Sequence, residues 1–184
     1  VVFKYNIAMG CPDLAVYASG SSTGDVDNVS LISIGNTYIR CTNSLSVKRN
    51  YRYLKSVGDH FDGCFNCITS APANGTGNAL LCGSRVIVEG ATARNIGSRF
   101  FDVRSSSSWK GSGVCSGTFG YNIDGSLVEN AAVVGIAGGI NCNFDVVIEV
   151  EGSTDVSHSA VRIGQHTNTQ TGITTQSAGN RVEV

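Results

Sequence analysis

Three carboxylates in this chain hold the same place relative to a recurring glycine. Glu89, Asp124 and Glu151 stand immediately before Gly90, Gly125 and Gly152. If the segments carrying them stack as parallel strands, adjacent members lie ~5 Å apart and next-but-one members ~10 Å. Glycoside hydrolysis needs two carboxyl groups at about these spacings, ~5 Å for retention and ~6.5–9.5 Å for inversion. Stacked like charges also raise one another's proton affinity, which suits one of them to act as an acid. The three are therefore candidate catalytic acids; the plainer alternative is solvated side chains flanking turns. Asp102, in Phe-Phe-Asp-Val, is a fourth candidate acid. Asp59 and Asp62 are further carboxylates, Asp59 at a turn position that suits Asp on backbone grounds alone.

Trp109 is the only tryptophan, and its Ser- and Gly-rich surroundings read as a loop. Its ring is expected either to stack on the apolar face of a sugar or to fold back over an apolar strip. Tyr121, Arg99, Lys110 and Arg104 are near it in sequence and offer hydrogen bonds to hydroxyls or acidic sugar groups. Cys64 and Cys67 form a lone C-x-x-C with no second pair, so buried core thiols are preferred over a redox pair or half a zinc site. The seven cysteines are odd in number and lack paired spacings, which argues against a disulfide framework and for assembly in a reducing compartment. His60, His158 and His166 show no metal-ligand spacing, and phosphate-binding glycine motifs are absent. Neither a metal nor a cofactor is expected. Asn28-Val-Ser and Asn74-Gly-Thr match the glycosylation pattern but are discounted, because no secretory signal pattern is visible.

The elements that position these residues follow from a repeat. Five segments, starting at Leu31, Tyr53, Val86, Tyr121 and Val147, share an apolar strand, a glycine and apolar positions at fixed offsets. The glycines are Gly35, Gly58, Gly90, Gly125 and Gly152, separated by 23, 32, 35 and 27 residues. Gly10 is expected to begin an earlier rung. Three residues beyond the glycines stand Tyr38, Phe61, Ala93, Val128 and Asp155; six beyond stand Cys41, Cys64, Ile96, Ala131 and His158. Ten beyond stand Leu45, Ile68, Phe100, Gly135 and Arg162. The first four rungs give apolar or small columns, and the fifth slips by about one residue. Stacking buries such columns as one continuous core.

Composition agrees. In 184 residues there are 23 glycines and 2 prolines, and no sustained helical period, so the chain is expected to be all-β. A single right-handed parallel β-helix of about five to six rungs is preferred over a β-sandwich, which would not explain columns in one phase. It is expected to span residues 28–164. Residues 1–27 are read as an irregular segment or first rung, and 165–184 as a last rung or inter-subunit strand. The longer spacings place extra chain at 72–84 and 105–120, expected as adjacent loops that protrude from one side and wall a groove. A net charge of −1 gives no electrostatic reason to bind nucleic acid, and no apolar run suits membrane insertion.

The glycine-anchored rungs VIVEGATARNI and YNIDGSLVENAAVVGI, with polar loops and scattered free cysteines, resemble the right-handed β-helices of bacteriophage tailspikes and pectate lyases. The resemblance covers roughly residues 28–164 and rests on rung grammar, not on a catalytic motif. It implies a homotrimer that binds, and in many relatives depolymerises, a bacterial surface polysaccharide. It implies a virion tail location after assembly in the host cytoplasm, with other virion proteins as further partners. On that reading Glu89, Asp124, Glu151 and Asp102 are the acids and Trp109 is the stacking platform. The alternative is a non-enzymatic structural or adhesive segment of a phage fibre. A calcium-assisted lyase ranks third, since it needs clustered oxygen ligands and a basic abstractor.

Overall fold

A computed structural model describes residues 1–19, 29–48, 51–71, 85–104, 108–122, 124–151, 157–167 and 174–184. The expected loop at 72–84 lies outside the described residues, and so does Gly152. The described chain contains no helix. Its first pass comprises β1 (Val2–Lys4), β2 (Ile7–Met9) and β3 (Leu14–Ser19). The second holds β4 (Val29–Ile34), β5 (Thr37–Ile39) and β6 (Asn43–Lys48), and the third β7 (Tyr51–Val57), β8 (His60–Asp62) and β9 (Asn66–Ala71). In the fourth, β10 (Arg85–Ile96) fills two strand positions and is followed by β11 (Arg99–Arg104). Then come β12 (Ser108–Phe119) with β13 (Ala132–Ala137), and β14 (Asn143–Glu151) with β15 (Ser159–Gly164). The short strands β16 (His166–Thr167) and β17 (Thr174–Thr175) pair antiparallel, while β18 (Arg181–Glu183) pairs in parallel with β14.

The opening strands of successive passes form one large sheet in the order β1-β4-β7-β10-β12-β14-β18. The closing strands form a second, β15-β13-β11-β9-β6-β3. All named strand pairs in these two sheets are parallel. This all-β arrangement is compatible with a parallel β-helix and unlike a sandwich of antiparallel sheets.

Two backbone corners set the register. Gly35, Gly58 and Gly90 have φ of 59°, 60° and 62°, in the left-handed region that suits glycine. Their amides reach across to the next pass: Gly35 N donates to Val57 O at 2.9 Å and Gly58 N to Glu89 O at 2.9 Å. Tyr5 holds the same place in the first pass, with φ 53° and its amide on Ile34 O. Gly10 therefore begins no earlier rung. It occupies a second corner five residues on, in line with Arg40, Gly63 and Asn95.

The column Tyr38, Phe61 and Ala93 stands in register as expected, as do Leu45 and Ile68. Beyond the third pass the expectation slips. An extra residue near Gly97 sets Phe101, not Phe100, beside Ile68. Cys115, not Val128, follows Ala93. The supposed loop 105–120 is largely strand β12, paired on both edges. Two of its glycines stand where rings crowd in: a Cβ on Gly111 would lie 2.7 Å from Phe144 Cδ1, and one on Gly113 2.4 Å from Ala91 O and 2.8 Å from Phe100 Cζ. Gly125 is no corner either; it closes a turn, its amide donating to Asn122 O.

The core is a chain of rings. Tyr38 stacks on Phe61 (centroids 5.0 Å apart), Phe61 meets Phe100 edge-on at 6.4 Å, and Phe100 stacks on Phe101 at 4.0 Å. Phe101 continues to Phe144 at 5.3 Å and to Trp109 at 6.1 Å. Trp109 is 1 % exposed, and its indole N–H donates to Ser70 Oγ at 3.2 Å. It is thus a core residue and no surface platform for a sugar. Cys41, Cys64, Cys67, Cys115 and Cys142 are also buried. Burial pushes the Cys64 and Cys67 thiols up, that of Cys115 to about 12 and that of Cys142 to about 11.

Two outcomes follow from this packing. Trp109→Ala should lower unfolding stability by about 3–5 kcal/mol in denaturant titration, the usual cost of emptying an aromatic site. Brief iodoacetamide treatment of the native protein should label half-exposed Cys11 before the five buried thiols, as read by peptide mass spectrometry.

Candidate functional site

After Phe119 the chain leaves both sheets before β13 begins, and this excursion builds a site. Gly120 (φ 87°) turns the chain at a point where the His158 ring leaves no room for a Cβ. His158 Nε2 bonds Val128 O, and Val128 N donates to Gly120 O at 2.8 Å, which ties the root of the excursion together. Tyr121 and Leu127 face each other in an antiparallel bridge. At the tip, Asp124 Oδ1 accepts from Ser126 N at 2.9 Å and Ser126 Oγ at 2.6 Å. Those two donors hold the Asp124 carboxyl below the usual carboxylate range.

The excursion lies against the second corner. Arg40, Asp62, Gly63, Asn95, Thr118, Tyr121 and Asn122 line a cleft of about 350 Å³. Thr42, Phe65, Asn122 and Asp124 line a hollow of about 440 Å³ that shares Asn122 with it. A polar ladder forms part of the wall: Asn95 Nδ2 donates to Asp62 Oδ1 at 3.1 Å, and Thr118 N and Oγ1 donate to Asn95 Oδ1 at 3.1 and 3.2 Å. Tyr121 is 39 % exposed and Phe65 half-buried. Gly97 permits their approach, since a Cβ there would lie 2.9 Å from both Phe65 Cδ2 and Tyr121 O. The combination of accessible rings, amides, carboxylates and a guanidinium suits a hydroxyl-rich ligand, which offers apolar faces and many donors. The volumes fall in the range of small-ligand sites.

The sequence candidates do not converge. Tyr121 lines the corner cleft and Asp124 the hollow beside it. Glu89 and Lys110 line a separate trough of about 360 Å³ on the large sheet, with Ser112, Asn143, Asp145, Arg181 and Glu183. There Glu89 pairs with Lys55 at 3.0 Å. Asp102 is 2 % exposed, bound by Arg104 Nη2 at 2.8 Å and flanked by Arg99 Nε at 3.6 Å. Arg99 is thereby committed to an internal ion pair and Asp102 is no exposed acid. Glu151 is exposed at the far end of β14, opposite Thr118.

The expected column Glu89, Asp124, Glu151 does not exist. Register places Glu89 beside Val57, Asp124 in a turn and Glu151 beside Thr118. A carboxylate column does run down the large sheet, but through Asp145 and Glu183, which are direct partners. Arg40, Phe65, Asn95, Thr118 and Asn122 were missed as cleft residues. The legible signal was the second corner, five residues beyond Gly35, Gly58 and Gly90. Among the described residues no three His, Cys, Asp or Glu side chains are grouped to hold a metal ion. Comparison with family models, curated proteins and solved structures finds no match, so a reading of function rests on this geometry.

The Asp124 turn can be checked by titration. In carboxyl NMR, Asp124 should stay ionised to lower pH than an ordinary aspartate. Ser126→Ala should move its midpoint upward, toward the ordinary value, because the donor that stabilises the charged form is gone.

Proposed function

We propose that this chain winds as a right-handed parallel β-helix and presents the corner cleft to a bacterial surface polysaccharide, in the manner of a tailspike module. The observation that carries the reading is the cleft, where Tyr121 borders Asp62, Asn95 and Asn122, together with the adjoining hollow, where Phe65 borders Asn122 and Asp124. A ring beside planar hydrogen-bonding groups matches a pyranose, which has an apolar face and a hydroxylated edge. Recognition is better supported than cleavage. Asp102 is held internally by two arginines, Glu89 pairs with Lys55 at the surface, and neither lines the cleft or the hollow that Asp124 borders. Homotrimer formation, attachment to other virion proteins and a virion tail location belong to the same proposal.

A second reading, a structural or adhesive fibre segment, is favoured by the apolar first pass, where Val2, Tyr5, Ile7 and Met9 are exposed beside strand edges. The two separate by binding. On an array of bacterial capsules and O-polysaccharides the wild-type protein should retain at least one glycan. Tyr121→Ala should weaken that binding by about tenfold, or ~1.4 kcal/mol, of the order expected for one ring contact. Retention of no glycan by the folded protein would favour the fibre segment.

A further inference from the structure

We infer that Arg40 is the anion-recognising residue of the corner cleft, so that the glycan it takes carries an acidic substituent. This rests on the cleft being the glycan site. The first observation is an arginine at a left-handed corner. Arg40 has φ 51°, and the aligned residues of the other passes are Gly10, Gly63 and Asn95, types that adopt the left-handed region readily. An arginine there sets its Cβ against the following carbonyl, a cost that a glycine avoids. A strained residue of this kind directs attention to what its side chain does.

The second observation is where that side chain goes. A Cβ on Gly63 would stand 3.3 Å from Arg40 Cγ, so the arginine stem lies over the glycine of the next pass. That course carries it along the corner to the cleft that Arg40 lines with Asp62, Asn95 and Tyr121. Arg40 is exposed, and among the described residues its guanidinium has neither an ion pair nor a side-chain hydrogen bond.

The third observation concerns the nearby acids. Asp62 already accepts from Asn95, and Asp124 from Ser126. The cleft thus offers an uncommitted planar cation whose forked N–H groups match two oxygens of one oxyanion. A uronate carboxylate and a sulfate ester share that chemistry.

The test uses the full chain and three oligosaccharides: neutral chitohexaose, a hyaluronan hexasaccharide bearing carboxylates, and a chondroitin sulfate hexasaccharide bearing sulfates as well. Affinities are measured by calorimetry for the wild type and Arg40→Gly. We expect the wild type to prefer an anionic ligand over the neutral one by about tenfold, the scale of one charge-assisted contact. In Arg40→Gly that ratio should fall to about one, while the melting temperature is no lower than that of the wild type. The hyaluronan and chondroitin arms then tell carboxylate from sulfate. A ratio near one in the wild type, or a ratio unchanged by Arg40→Gly, would overturn the inference and leave the glycan reading standing. A melting temperature clearly lowered in Arg40→Gly would also overturn it, since the arginine would then serve the fold. Binding of none of the three by the folded wild type would remove the glycan reading and the inference together.

Discussion

One hydrogen bond, repeated from pass to pass, sets the geometry of this protein. The amide of each first-corner residue reaches a carbonyl of the following pass: Tyr5 to Ile34, Gly35 to Val57 and Gly58 to Glu89. Side chains on a strand alternate between faces, so a slip of one residue would turn an entire apolar column toward solvent. A left-handed corner resists such a slip, because few residues other than glycine tolerate its φ. The corner is also wired internally. Asn36 Nδ2 donates to Phe3 O, and buried Asp59 accepts from Asn36 N at 2.8 Å and Ser56 Oγ at 2.6 Å. Ser56 is a donor from the same pass, whereas the Asn36 amide reaches the buried carboxylate only when neighbouring passes are in register.

Given that register, packing decides the rest. Interiors tolerate neither voids nor overlap. Where Phe100, Phe101 and Phe144 crowd inward, β12 answers with Gly111 and Gly113. The composition that looks like a loop is the complement of three rings. The same pass then releases its spare chain between β12 and β13, over the second corner, and so the cleft forms there. Its wall is made of corner residues held by the sheet, while its rim is the turn fastened at His158.

What the sequence made legible follows the same division. The first-corner glycines, the all-β class and the columns through Tyr38 with Phe61 and Leu45 with Ile68 were readable, since each depends on residue type at a fixed offset. Tyr5 and Arg40 were not, because each stands at a left-handed corner without being glycine. Beyond the third pass the count failed at Gly97 and again at β12, where small residues fill core positions by contact with distant rings. The site suffered from that error. Tyr121 and Asp124 were reached for reasons of chemistry, yet their companions Phe65 and Asn95 come from other passes, and nothing local marks them. Trp109 and Asp102 went the other way: their types suggest a site, and packing against Phe144 or pairing with Arg104 uses them inside.

The central claim is that ligand is taken at the corner cleft and not at the charged trough on the large sheet. Backbone amide NMR of the isotopically labelled protein, titrated with an oligosaccharide selected from the array, addresses it directly. The account predicts shift changes clustered at Thr42, Phe65, Asn95, Thr118, Tyr121 and Asn122. Changes clustered instead at Lys110, Ser112, Asn143 and Asp145 would contradict it and move the site to the trough.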